Sequence, residues 1–130
     1  MSRPAARLGD RVTGTDTHIV LVPSPGGPVP TPTQLPFSGT ITSGCCATVL
    51  IGGRPAATIG SRATNVPPHV PPTGTFARPP ENSGSVSTGD PRVLIGGRAA
   101  ARNGDTVVTC SDPVPAPNCR ISAAGNVHIG

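Results

Sequence analysis

The sequence predicts a small all-β body of one domain with pseudo-threefold symmetry. Three observations predict it: a unit that recurs three times, a composition with little bulky apolar mass, and the lack of any helical period. The 130 residues include 17 Gly, 18 Pro and two Phe, with no Tyr and no Trp. A chain this poor in large side chains cannot bury much apolar area, so it needs a staple such as a metal, a disulfide or a partner subunit.

The repeat is read in order. Val49-Leu50-Ile51-Gly52-Gly53-Arg54-Pro55-Ala56-Ala57 is matched by Val93-Leu94-Ile95-Gly96-Gly97-Arg98-Ala99-Ala100-Ala101. Arg3-Pro4-Ala5-Ala6-Arg7-Leu8-Gly9-Asp10 is the second half of the same unit, and Val127-His128-Ile129-Gly130 supplies its first half at the other terminus. The units therefore begin near residues 3, 54 and 98 of a single domain spanning 1–130, and one unit is split across the termini. This predicts that Gly130 lies beside Met1–Arg3. Upstream, Gly39–Gly44 aligns with Gly84–Gly89, and Ile121–Gly125 is a looser third version. Alternation around Ile41, Val86 and Ile121 predicts short strands with one face inward, joined by Gly turns of positive φ. No window shows a convincing helical period with caps, and Pro interrupts most candidate helices. The Pro-rich stretches 23–36 and 66–80 are predicted to be extended loops ordered by packing on the strands.

Charge and composition exclude several classes. The net charge is +4, and all ten basic residues are Arg. They form no run and have no interleaved aromatics, which argues against nucleic acid as a partner. No apolar stretch approaches the ~20 residues of a helical membrane span. The N-terminus lacks an apolar signal region, so synthesis in the cytoplasm without a signal peptide is expected. A reducing compartment favours metal-bound or free thiols for the four Cys.

Aligning the copies locates candidate metal ligands. His18 lies eight residues after Asp10, and His69 lies eight after the equivalent Ser61. In the third copy the loop after Asp105 holds Cys110, and Cys119 closes it. Three equivalent loops should converge at one end of the body and bring His18, His69, Cys110 and Cys119 together. Two imidazoles and two thiolates suit one tetrahedral Zn²⁺, and a closed set of four makes a structural site, not a catalytic one. A Cys110–Cys119 disulfide, or free cysteines with surface histidines, are the competing readings. His128 takes the strand position of Leu50 and Leu94 and reads as a strand-face residue. Cys45-Cys46 reads as small-residue packing, with a vicinal redox pair as the rival. Asp10 and Asp105 read as turn caps. No Ser-His-Asp order, phosphate loop or paired-carboxylate cluster occurs.

Pro4-Ala5-Ala6-Arg7, with the related Arg54–Gly60 and Arg98–Asp105 segments, resembles the PAAR family of spike-tip proteins over essentially the whole chain. The resemblance implies a sharp β-cone, rigidified by zinc near its apex, that caps a trimeric VgrG/gp5-like spike of a contractile injection system. Type VI secretion systems and phage-tail-like particles carry such tips. It implies one tip per trimer, transient contact with a target membrane, possible effector cargo, export or release with the particle, and no enzymatic activity. The family pattern has three His and one Cys around the metal, from which this chain departs. A small zinc-dependent hydrolase or a secreted toxin is the alternative from another class.

Overall fold

The structure is a computed structural model that describes residues 2–130; Met1 lies outside the described residues. It is all-β, and no helix occurs among the described residues. The strands are β1 (Arg3–Pro4), β2 (Arg11–Val22), β3 (Val29–Ser43), β4 (Cys46–Ile51), β5 (Arg54–Ala56), β6 (Arg62–Asn65) and β7 (Thr75–Phe76). They continue as β8 (Ser83–Val86), β9 (Asp90–Ile95), β10 (Arg98–Ala100), β11 (Thr106–Thr109), β12 (Ala116–Ser122) and β13 (His128–Ile129).

Six of them close into a barrel-like sheet in the order β2-β3-β6-β8-β11-β12, with β12 pairing back to β2 and β7 added on β2. Closure leaves no free edge along the paired stretch. Each repeat contributes one outgoing strand (β2, β6, β11) and one returning strand (β3, β8, β12). Outgoing Val12, Ala63 and Val107 and returning Ile41, Val86 and Ile121 fill the interior, each 2% exposed or less. This is the predicted alternation, and the architecture is consistent with a small β-cone.

The pseudo-threefold axis is visible in the backbone. The Ala6 N–H donates to the Ala101 carbonyl at 2.9 Å, Ala101 to Ala57 at 3.0 Å, and Ala57 to Ala6 at 3.0 Å. This closed ring of three bonds requires three backbones to approach one another at the axis. Alanine permits that approach, and all three side chains are buried. Each arm then turns through a glycine with φ near +90°, namely Gly9 (+89°), Gly60 (+93°) and Gly104 (+84°). Each turn is capped by the side chain that follows it: Arg7 N–H to Asp10 Oδ2 at 2.8 Å, Thr58 N–H to Ser61 Oγ at 3.0 Å, and Arg102 N–H to Asp105 Oδ2 at 2.7 Å.

Below the alanine ring lie three two-stranded hairpins, β4–β5, β9–β10 and β13–β1. The third is assembled from the two chain ends, with Arg3 opposite Ile129 and Pro4 opposite His128. It matches Arg54 opposite Ile51 and Pro55 opposite Leu50 in the first. Ala5, Ile51, Ala56, Ala100 and Ile129 form a second, smaller core there.

One local expectation is corrected. Residues 29–36 are not loop but the first half of β3, paired with β2 all the way to Val22 opposite Val29. Pro30, Pro32 and Pro36 fit because of their phase. On β2 the Ile19 N–H donates to Asp112 Oδ2 at 3.0 Å and its carbonyl accepts from Ala77 at 2.9 Å. Ile19 therefore asks nothing of its partner Pro32. All three prolines share that phase, so the N–H each lacks would have pointed out of the free edge of β3.

Candidate metal centre

The outgoing strand β2 extends well past the barrel core, and its inward parity carries Val12, Gly14, Asp16, His18 and Val20 in turn. Asp16 and His18 are 1% and 2% exposed. His69 reaches them from the segment after β6. Its backbone N–H donates to Asn82 Oδ1 at 2.8 Å, and its Nδ1 lies 3.3 Å from Asn65 Nδ2. The His18 and His69 rings are 5.0 Å apart between centroids. Asp16 Oδ2 lies 2.9 Å from His69 Nε2 and 3.8 Å from His18 Nε2. Thr109 at the end of β11 donates its hydroxyl to Asp16 Oδ1. Phe76 and Phe37 wall the two imidazoles edge-on.

Asp16, His18 and His69 thus form a group whose candidate ligand atoms all lie within 4.8 Å of one another. Both ring nitrogens of His18 are buried and, among the described residues, have no hydrogen-bond partner. A buried imidazole without partners is costly, by about 1–3 kcal/mol per unsatisfied group, so the site fits a metal ion that would take one of those nitrogens. Burial lowers the His18 pKa, with His69 acting in the same direction and Asp16 and Asp112 opposing. Burial thus favours the neutral form that a metal ligand requires.

The two cysteines expected beside the histidines sit differently from each other. Cys110, half-buried, lines a cleft of about 230 Å³ together with His18, Glu81 and Asp112. Burial, then hydrogen bonding to and the charge of Glu81, pushes its thiol up to about 11. Cys119 on β12 is fully buried one layer below, with its Sγ 4.0 Å from the same Thr109 hydroxyl that holds Asp16. Burial, then the charge of Asp16, raises it to about 11. All four cysteines are free thiols. A metal bound through either would have to displace a proton.

Sequence reasoning from loop offsets missed Asp16. The signal was present: it precedes His18 by two and so shares the inward face of the strand. His128 lies in the β13–β1 hairpin, its Nδ1 3.4 Å from Ser2 Oγ, at the end of the body opposite His18. Cys46 opens β4 with its Sγ 3.2 Å from Thr48 Oγ1, and Cys45 packs against the barrel core.

Comparison with known proteins adds one finding. No curated protein matches the chain. The PAAR motif family model matches residues 76–130, which takes in β8 to β13 and the whole third arm. The resemblance read from the repeats and the family match agree: the chain carries a PAAR motif.

Proposed function

We propose that this protein is the structural tip of a contractile injection machine, seated as one copy on the end of a trimeric VgrG-like spike. The observation that carries the reading is the Ala6–Ala57–Ala101 backbone ring. It gives a single chain the symmetry of a threefold partner. The hairpins below that ring present Leu50 and Leu94, 59% and 63% exposed, on an unpartnered face. In this reading that face is the one the spike covers, with Leu50 and Leu94 at equivalent positions of two hairpins. The opposite end would lead in piercing a membrane. The protein would be made and assembled in the cytoplasm and leave with the particle, with or without an effector as cargo.

The metal's role in this reading is mechanical. Asp16, His18 and His69 would hold it, with a thiolate completing the set, and zinc suits such nitrogen- and sulfur-containing donors. Of the two cysteines named by the sequence, Cys110 is favoured because it shares a cleft with His18. Once bound, the ion cross-links β2 to the segment carrying His69, a contribution on the order of 10 kcal/mol in small zinc domains. Elemental analysis should find one zinc per chain. His18→Ala and Cys110→Ala should release it and His128→Ala should not. Well-folded protein without zinc would refute the site.

One observation favours a hydrolase instead. Three protein ligands beside an open cleft that holds Glu81 is a pattern of catalytic zinc. In that case Cys110→Ala would keep the metal and Glu81→Gln would abolish a hydrolytic activity.

A further inference from the structure

Each arm carries one arginine at the same level of the barrel wall. Arg11 stands opposite Thr40 on β2 and β3, Arg62 opposite Ser85 on β6 and β8, and Arg120 opposite Thr106 on β12 and β11. In the third arm the cation has moved to the returning strand, yet the cross-strand pair is the same. All three are exposed. Their hydrogen-bond partners are neutral: the Ser38 hydroxyl, the Ser83 and Ser85 hydroxyls, and the Gly104 carbonyl.

A second tier lies nearer the hairpins. The guanidinium groups of Arg54, Arg98 and Arg3 lie across the turns of the neighbouring arms at Gly9, Gly60 and Gly104. Among the described residues, neither Arg54 nor Arg98 has a carboxylate within 4.0 Å, and Arg3 reaches Asp105 only at 4.0 Å. The acids nearest this girdle, Asp10 and Asp105, are buried and already paired with Arg7 and Arg102. Asp10, Asp16, Asp90, Asp105 and Asp112 are turned inward, and Glu81 is the exposed one. From the upper tier toward the His18 end, the outer wall is built mainly of Thr, Pro and Val with Gln34 and Asn118, and its exposed charges are Arg78 and Glu81. Val29, Val66, Val70 and Val114 are exposed there.

We infer that the arginine girdle binds the phosphate-bearing headgroups of an anionic bilayer when the end beyond it is inserted. This rests on the membrane-contact reading above and names the lipid chemistry it requires. Charges spaced around the whole girth suit a partner that encircles the body. A duplex nucleic acid or a flat protein face would meet one side alone. Stacking on single strands is disfavoured as well, because Phe37 is buried and Phe76 is half-buried. The dimensions agree. From Arg11 to Val22 the strand covers roughly 36 Å at ~3.3 Å per residue, or about 25–30 Å of height at barrel tilt, close to the ~30 Å of a hydrocarbon core.

The test is vesicle flotation of the full metal-loaded chain. Binding should rise with the phosphatidylglycerol fraction in phosphatidylcholine vesicles and fall with salt. A basic residue at an anionic surface is worth a factor of about five, so Arg11→Ser/Arg62→Ser/Arg120→Ser should weaken binding on the order of a hundredfold. The matching triple Lys variant should keep most of it. Equal binding to pure phosphatidylcholine would overturn the inference. So would unchanged binding by the Ser variant, displacement by inorganic phosphate at matched ionic strength, or preference for a duplex oligonucleotide. The assay contains no spike protein. Docking to a spike with no vesicle binding would therefore sink this inference alone, and vesicle binding without docking would sink the seating on a spike.

Discussion

Gly14 and Cys119 face each other across β2 and β12, and a Cβ on Gly14 would lie 2.6 Å from the Cys119 sulfur. That carbon would also fall 2.3 Å from the Asn118 carbonyl oxygen. Backbone on the far strand cannot yield cheaply. The sulfur thus occupies volume that the glycine leaves free, one layer beneath Asp16. Gly14→Ala should cost at least about 1–3 kcal/mol of stability, the usual range for overpacking. Gly14→Ala/Cys119→Ala should recover part of the loss, because the sulfur is one of the two obstacles. Urea denaturation of the four proteins of this cycle measures it. A stable Gly14→Ala protein would mean that the barrel is looser than described.

Acid should weaken the centre before it weakens the rest. Burial sets the folded pKa of His18 below its ordinary value. A base of this kind binds fewer protons folded than unfolded. Its contribution is complete above the unfolded value of about 6.5 and is lost as pH falls through that value toward the folded one. A bound metal competes with the same protons and steepens the loss. Thermal midpoints should therefore decline on going from about pH 7.5 to about pH 5, and His18→Gln should flatten that decline. A midpoint indifferent to pH over this window would contradict the buried, neutral imidazole.

The prolines of β3 guard an open edge. Beyond the stretch paired with β6, the outer edge of β3 meets no strand among the described residues, and Pro30, Pro32 and Pro36 remove the donors that would point from it. Pro30→Thr/Pro32→Thr restores two of them and makes the edge a template for another chain. Light scattering should show concentration-dependent association in the variant and none in the parent. A monomeric variant would mean that the edge is protected by something other than proline.

Much of this architecture was legible in the sequence. The three Ile/Val centres and the three Arg-x-Ala-Ala segments carry the barrel and its axis, because a repeat that cannot bury its face alone must pack on its sisters. The terminal fragment Val127–Gly130 foreshadowed the pairing of β13 with β1. Residues 29–36 were not legible, since proline content reads as loop until the hydrogen-bond phase of the partner strand is known. Asp16 was hidden for a related reason. The offset between His18 and His69 counts positions along loops, whereas Asp16 joins them through the two-residue period of a strand that runs farther than its repeat. The shared level of Arg11, Arg62 and Arg120 is invisible to alignment of the copies, because Arg120 sits on the opposite strand of its pair.

The claim that one chain supplies a complete threefold face is tested most directly by the native mass of its complex with a trimeric spike protein. The account predicts one tip per trimer, with binding lost in Leu50→Asp/Leu94→Asp, which charges the exposed hairpin face without touching the barrel. Three tips per trimer, or binding unaffected by those two charges, would contradict it.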